Sequence, residues 1–181
     1  MTNVMIRQPG YMPNLGFFKK IQSTDIFVFL DDVQFSKDSF DNRNQIKTNF
    51  GPEWITVPLN RPVFEKKINE VSISYETDWI KEHCNKIFEN YKSTPYFSSY
   101  WYEIEKILNY KHKLLIQLNF ELIKYFIKTL DIHTKTIKSS ELSITKIKTE
   151  RLIEICLKLN AKCYISGIGG KDYLDESLFE N

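Results

Sequence analysis

Two short apolar runs near the start of the chain predict buried strands. Residues 4–6 form the first run, which ends at Gln8-Pro9-Gly10, and residues 26–30 form the second, with acidic residues on both sides. Apolar runs rich in β-forming residues are typical of strands covered on both faces, as in a parallel sheet. Between them, residues 15–21 have the apolar spacing of a short helix. This order predicts a βαβ-like opening.

After residue 51 the hydrophobic pattern predicts two strands, then a series of helices, and then strands that alternate with helices. The Val33 to Gly51 stretch is polar and predicts an irregular segment. We expect Asp78 and Thr149 to cap the helices that follow them. The fold class is therefore α/β, with a mainly parallel sheet in one domain over residues 1–181 and a helical insertion at about 78–131. The remaining predicted elements are strands at 53–59, 71–75, 135–140 and 161–167, helices at 79–91, 96–110, 114–130 and from 149, and a short helical segment at 174–179.

Composition narrows the class of protein. The 181 residues carry a net charge of +2, and 42% are hydrophobic, which is ordinary for a globular protein and argues against a broad nucleic-acid surface. No apolar stretch reaches the roughly 18 residues of a membrane span, and no signal peptide is visible, so we expect a cytoplasmic protein. The three cysteines lack metal-site spacing and are expected to be reduced and mostly buried. The three histidines are scattered and are expected at surfaces or helix edges.

The scarce glycines and prolines are concentrated in the loop after the first strand. Pro9, Gly10, Pro13 and Gly16 all fall within it. A strand that leads through a glycine-containing turn into a helix is a usual ligand position in open α/β sheets, although a tight turn with nothing bound would have the same pattern. The candidate site residues here are Gln8, Tyr11 and Asn14.

Two further segments are polar enough to be candidate sites. Acids at a strand's carboxyl end can hold a sugar hydroxyl, amides can recognise hydroxyls, and basic groups can bind phosphate, but a solvated loop is the alternative. The first segment supplies Asp31, Asp32, Gln34, Lys37, Asn42, Arg43, Asn44 and Lys47. The second is glycine-rich but lacks the spacing of a phosphate-binding Walker loop, and a simple turn is its alternative. It supplies Ser166, Gly167, Gly170, Lys171, Tyr173 and Asp175.

These segments together resemble the WbqC-like family. The matching blocks are Gln8 to Pro13 with Gly16 to Phe18 and Lys20-Ile21, Phe27 to Phe35, Asn42 to Asn44 with Ile46-Lys47, and Tyr164 to Gly167 with Gly170, Tyr173 to Asp175 and Phe179. The resemblance implies a role in bacterial O-antigen or other surface-polysaccharide biosynthesis, in enzymes that act on sugar precursors. It also implies that the usual C-terminal segment of the family is missing after Phe179.

A second resemblance concerns the opening of the fold. It is similar to that of the nucleotidylyltransferases and pantothenate synthetase, which use a histidine pair near the first helix. No histidine precedes His83, so Asn14, Lys20 or Arg43 would have to supply the electrophilic role in such a reaction. This is a likeness of fold, and it transfers no function by itself.

The function implied is transfer of an acyl or aminoacyl group to the amine of a nucleotide-linked amino sugar. The expected partners are that nucleotide sugar and an acyl or aminoacyl carrier, and no metal or cofactor is specified. Asp31 or Asp32 would be the general base, with a raised pKa, and Gln8 would orient the donor. Arg43 and Lys47 would bind the diphosphate, Asn42 and Asn44 the hydroxyls, and the 166–171 loop a phosphate or oxyanion. A sugar-nucleotide-binding module and an adenylate-forming ligase are the alternatives.

Overall fold

Strands and helices alternate at both ends of the chain, and helices dominate the middle. The computed structural model describes residues 2–37, 39–167 and 174–179. Gly170, Lys171 and Tyr173 of the predicted site lie outside these residues. The elements are β1 (Asn3–Arg7), α1 (Leu15–Gln22), β2 (Ile26–Phe29), β3 (Arg43–Thr48), β4 (Gly51–Thr56), α2 (Trp79–Tyr91), α3 (Phe97–Asn109), α4 (Leu115–Thr129), β5 (Lys135–Lys138), α5 (Lys148–Lys158) and β6 (Cys163–Tyr164).

The chain divides into two compact units. One, which we call the sheet unit, comprises Met1–Gln8, Asn14–Asp32 and Ile127–Asn181. The other, the helical unit, comprises Pro9–Pro13 and Val33–Phe126. The single domain with an insertion at about 78–131 stays a prediction.

The sheet unit is built on four parallel strands in the order β5-β2-β1-β6. Val4 pairs with Ile26 and with Tyr164, and Ile26 pairs in turn with Lys135. All four residues of β2 are buried, as expected for a strand covered on both faces. The predicted α/β class with a parallel sheet is confirmed.

Alternation along β1 and β2 assigns their side chains to two faces. Val4, Ile6 and Val28 pack with Leu152 and Ile155 of α5 on one face. On the other face, Phe17 of α1 makes an edge contact with Phe27 and stacks on Phe29 at 6.5 Å between ring centroids. Since Arg7 pairs with Phe29, it projects on the same face as this aromatic cluster.

The helical unit contains an antiparallel hairpin that the sequence pattern does not predict. β3 and β4 pair from Arg43 with Thr56 to Thr48 with Gly51. The expectation of an irregular segment over 33–51 is therefore wrong for β3, because its side chains are nearly all polar and only Ile46 is buried. The expected strand at 71–75 is also wrong, since Ser72 and Ile73 form only isolated bridges.

The helix bounds agree closely with prediction, but the caps and two histidines do not. Asp78 makes no capping hydrogen bond, and Thr149 lies in the first turn of α5, where its Oγ1 accepts from the N–H of Asp175 at 3.3 Å. His83 and His112 are 2% and 3% exposed, contrary to expectation, because each finds a polar partner inside the unit.

Candidate functional site

The carboxyl ends of the parallel strands bring several predicted residues to one edge of the sheet. Gln8 follows β1, Asp31 and Asp32 follow β2, and Ser166 and Gly167 follow β6. Ligands of open α/β sheets bind outside this edge. The edge is therefore the candidate site of the sheet unit.

Asp31 is fully engaged by the turn after β5. It is 3% exposed; its N–H donates to the Ser139 hydroxyl at 3.2 Å, and its carboxylate accepts a hydrogen bond from the Ser140 N–H at 3.0 Å. The Ser140 hydroxyl donates to its other oxygen at 2.7 Å. These bonds join the ends of β2 and β5, which makes Asp31 a support for the edge.

Asp32 is an ion-paired carboxylate. Burial raises its pKa, but hydrogen bonds from Arg151 and Ser139 and the charge of Arg151 outweigh burial, so the pKa lies below its ordinary value. This direction is opposite to the rise expected from the sequence. Asp32 is consequently ionised at neutral pH and suited to attracting a cation or an amine more than to removing a proton.

A basic cluster lies at the same edge, formed by Arg7, which the site prediction omitted, and Lys20, which was considered only for an electrophilic role. A Cβ atom placed on Gly167 would lie 2.6 Å from Nη1 of Arg7 and 3.9 Å from Nζ of Lys20. Burial, followed by the charge of Arg7, lowers the pKa of Lys20. Only four of the 25 basic residues are arginines. This scarcity was the one feature of the sequence that could have marked Arg7 as a candidate binding residue.

The other described candidates of the sheet unit have local partners. The Asn14 side chain accepts from the N–H of Phe17 at 3.2 Å and caps α1. The Ser166 hydroxyl donates to the carbonyl of Gly167 at 3.1 Å. The Asp175 carboxylate accepts from the hydroxyl and N–H of Ser177. Of these three, Ser166 lies beside the basic cluster.

The remaining candidates belong to the helical unit, where the three amide side chains hold backbone in place. Asn44 donates to the carbonyls of Tyr11 and Met12 at 3.2 and 2.7 Å, and Asn42 donates to that of Val57 at 2.9 Å. Gln34 donates to the carbonyl of Phe64 at 2.6 Å. The side-chain amides of these three residues therefore bind backbone carbonyls of the helical unit.

The basic candidates of the helical unit lie mainly on its hairpin. The guanidinium of Arg43 lies 4.5 Å from the Trp54 ring centroid, in a cation–π contact. Lys47 shares the face of β3 that carries Arg43, because four residues separate them along the strand. Lys37 and Lys47 are both exposed. The convergence of all three predicted segments on one cleft stays a prediction.

Tyr11 belongs to the buried centre of the helical unit. It is 0% exposed, and its hydroxyl lies 2.9 Å from Nδ1 of His83. Burial raises the pKa of Tyr11 well above its usual value and lowers that of His83 to about 4. A neutral pair in this position stabilises the core.

Two buried groups of the helical unit escaped the sequence analysis. Asp41 is 2% exposed, and burial raises its pKa to about 6 against the opposing hydrogen bond from Ser39. Nδ2 of Asn119 donates to the carbonyls of Pro9 and Asp41 at 2.9 and 2.8 Å. No local pattern marks Asn119, because the carbonyls that it binds are distant in the chain.

Thiol and metal chemistry find little support among the described residues. Burial raises the pKa of Cys84 and of Cys156 to about 11, so both thiols are protonated at neutral pH. The cysteines are free, as expected, but the expectation of mostly buried thiols is wrong, since only Cys84 is buried, Cys156 is half-buried and Cys163 is exposed. Within residues 2–37, 39–167 and 174–179, no group of three or more potential ligands could hold a metal ion. In the same residues, no helix has the length and apolar character to cross a membrane.

The sheet unit defines an α/β protein whose parallel sheet presents acidic, amide and basic groups at its carboxyl edge. The chain belongs to the WbqC-like protein family, which matches residues 8–181. It is 36% identical over 182 aligned residues to an uncharacterized protein of Mycobacterium tuberculosis, covering 99% of this chain and 78% of that protein. No solved structure matches the chain.

Proposed function

We propose that the protein is a cytoplasmic enzyme of surface-polysaccharide biosynthesis. It transfers an acyl or aminoacyl group to the amine of a nucleotide-linked amino sugar. Membership of the WbqC-like family supports the biosynthetic role, since the family resemblance implies sugar-precursor chemistry. The observation that carries the proposal is the set of polar groups at the carboxyl edge of the parallel sheet, where Gln8, Asp32 and Gly167 follow three adjacent strands.

The reaction requires a neutral amine and an activated acyl donor. The amine nitrogen forms a bond to the acyl carbon, and the bond from that carbon to the leaving group of the carrier breaks. The leaving group departs with the proton that the amine loses. The acyl group passes directly to the sugar in this scheme, and the protonated thiols of Cys84 and Cys156 take no part as nucleophiles.

Asp32 orients the acceptor in this reaction. Because Arg151 holds it ionised, its carboxylate accepts a hydrogen bond from the amine and stabilises the positive charge that develops on the nitrogen. Gln8, at the end of the adjacent strand, positions the donor. The backbone amides after β6, at the end of the next strand, serve either a phosphate of the sugar nucleotide or the developing oxyanion, the two roles expected for this loop.

The test is acyl transfer measured by mass spectrometry. The purified protein is incubated with nucleotide-linked amino sugars and acyl or aminoacyl thioesters, and the sugar is expected to gain the mass of the acyl group. Asp32→Asn should lose activity with its fold retained by circular dichroism. Asp131→Asn is the matched control, because that side chain is 87% exposed in the same unit and should keep full activity.

Other outcomes would replace the proposal. Ligand-induced stabilisation without any product would favour a sugar-nucleotide-binding module. Product formation that consumes ATP and releases AMP would identify an adenylate-forming ligase. Acylation at a sugar hydroxyl in place of the amine, or full activity of Asp32→Asn, would contradict the proposed acceptor or the proposed site.

A further inference from the structure

We propose that Arg7, Lys20 and the backbone at Gly167 form a binding site for a phosphate or diphosphate group. The site lies within the sheet unit, at the carboxyl edge of β1. The inference rests on the proposed function for the identity of its ligand, the diphosphate of a nucleotide sugar. It replaces Arg43 and Lys47 as the expected holders of that group.

Strand pairing brings Gly167 beside Arg7. β6 pairs Tyr164 with Val4, and the N–H of Ile165 donates to the carbonyl of Val4 at 2.8 Å, so the chain continues along β1 beyond the last paired residue. Arg7 lies three residues after Val4, and Gly167 lies three residues after Tyr164, so the two residues are side by side. The glycine leaves space for the guanidinium against the backbone, since its Cβ would lie 2.6 Å from Nη1.

Helix α1 supplies the second cation. The helix packs on the face of the sheet that carries Arg7, through the contacts of Phe17 with Phe27 and Phe29. This packing places Nζ of Lys20 within 3.9 Å of the same point beside Gly167. Neither Arg7 nor Lys20 forms an ion pair with an acidic residue that the structure describes. Two neighbouring cations repel each other, and an anion bound between them removes this repulsion.

The chemistry of the two side chains favours a phosphate ligand. A guanidinium binds two phosphate oxygens at once, whereas an ammonium acts as a point charge that can contact a third. Arg7 is exposed and Lys20 is half-buried, so the site is open to a ligand from solvent. Its position at the carboxyl edge is where open α/β sheets bind nucleotides.

The test is calorimetric titration of the protein with inorganic pyrophosphate and with UDP. Arg7→Gln and Lys20→Gln should each weaken binding about tenfold or more, since each removes charge-assisted hydrogen bonds. Lys19→Gln, with an exposed lysine on the same helix, is the matched control and should bind as the wild type does.

A third variant separates geometry from charge. Gly167→Ala keeps both cations, and the backbone there is outside the left-handed region, but the new methyl group displaces the guanidinium. It should weaken pyrophosphate binding without changing the far-ultraviolet circular dichroism. Equal losses in Lys19→Gln and Lys20→Gln would show general charge attraction and overturn the site, as would wild-type affinity in Arg7→Gln.

The acyl-transfer assay distinguishes failure of the site from failure of the proposed function. If pyrophosphate binding depends on Arg7 and Lys20 but no amino sugar is acylated, the anion site stands and the proposed function fails. If amino sugars are acylated and Arg7→Gln leaves KM for the nucleotide sugar unchanged, the function stands and the anion site fails.

Discussion

Replacing Asp41 by asparagine should stabilise the protein at neutral pH. Asp41 is 2% exposed and accepts a hydrogen bond from the Ser39 hydroxyl at 2.8 Å. Asparagine has nearly the same shape and can still accept that bond through Oδ1. The substitution therefore removes a buried negative charge with little change in packing.

The size of the effect follows from the raised pKa of Asp41. Burial raises the pKa from 3.8 to about 6, and one pKa unit corresponds to about 1.4 kcal/mol. Above pH 6 the charged form thus lowers the free energy of unfolding by about 3 kcal/mol. Near pH 4 the folded-state carboxyl is protonated and most of this destabilisation is gone.

His83 titrates in the same window with the opposite sign. Burial lowers the pKa of His83 from 6.5 to about 4. The neutral imidazole therefore contributes fully to the free energy of unfolding above pH 6.5, and this contribution is lost as the pH falls towards 4. The loss is also about 3 kcal/mol, by the same conversion. The pH dependences of stability that arise from Asp41 and His83 therefore nearly cancel in the wild type. In Asp41→Asn only the His83 effect remains, so stability should fall as the pH is lowered.

Urea unfolding at pH 4, 5.5 and 7.5 measures both effects. Asp41→Asn should exceed the wild type by about 3 kcal/mol at pH 7.5, and the difference should shrink towards zero at pH 4. Asp131→Asn is the control for an exposed carboxylate and should track the wild type at each pH. A difference that stays constant with pH, or an Asp41→Asn variant less stable at pH 7.5, would refute the argument.

Three further predictions concern buried partners and thiols. Tyr11→Phe should lower the free energy of unfolding by about 1–3 kcal/mol in urea, because Nδ1 of His83 loses its partner; no change would mean that water replaces it. Arg151→Gln should raise the pKa of Asp32 and lower the free energy of unfolding by about 1–3 kcal/mol at pH 7, since Asp32 loses charge-assisted hydrogen bonds; a stability equal to the wild type's would contradict a stabilising ion pair at this half-buried position. Iodoacetamide should label Cys163 before the other two cysteines by mass spectrometry, and uniform labelling would contradict their burial.

Local apolar patterns predicted the buried strands of the parallel sheet and the long helices, and missed the polar strand β3. β1, β2 and the long helices carry strong hydrophobic periodicity, so their positions and the α/β class could be predicted. β3 is a polar strand whose pairing with β4 provides its order, and no local signal marks it.

Local sequence pattern could single out candidate site residues only where they share a loop. Gln8 and Asp32 stand out because polar residues follow apolar strands. Arg7 does not stand out in the sequence, because it is the last residue of strand β1. Its neighbour Gly167 is brought close by the pairing of β1 with β6, which is distant in the sequence. The direction of the Asp32 pKa shift likewise depends on Arg151, which is distant in the sequence.

The strand order β5-β2-β1-β6 has a consequence for synthesis on the ribosome. β1 and β2 emerge early, but their outer neighbours β5 and β6 are translated only after the whole of 33–126. Until then the nascent β1–β2 pair has two open hydrogen-bonding edges and an uncovered apolar face, since α5 also comes late. Such edges are sites of misassociation, so the nascent chain is most vulnerable to aggregation before β5, α5 and β6 have been synthesised.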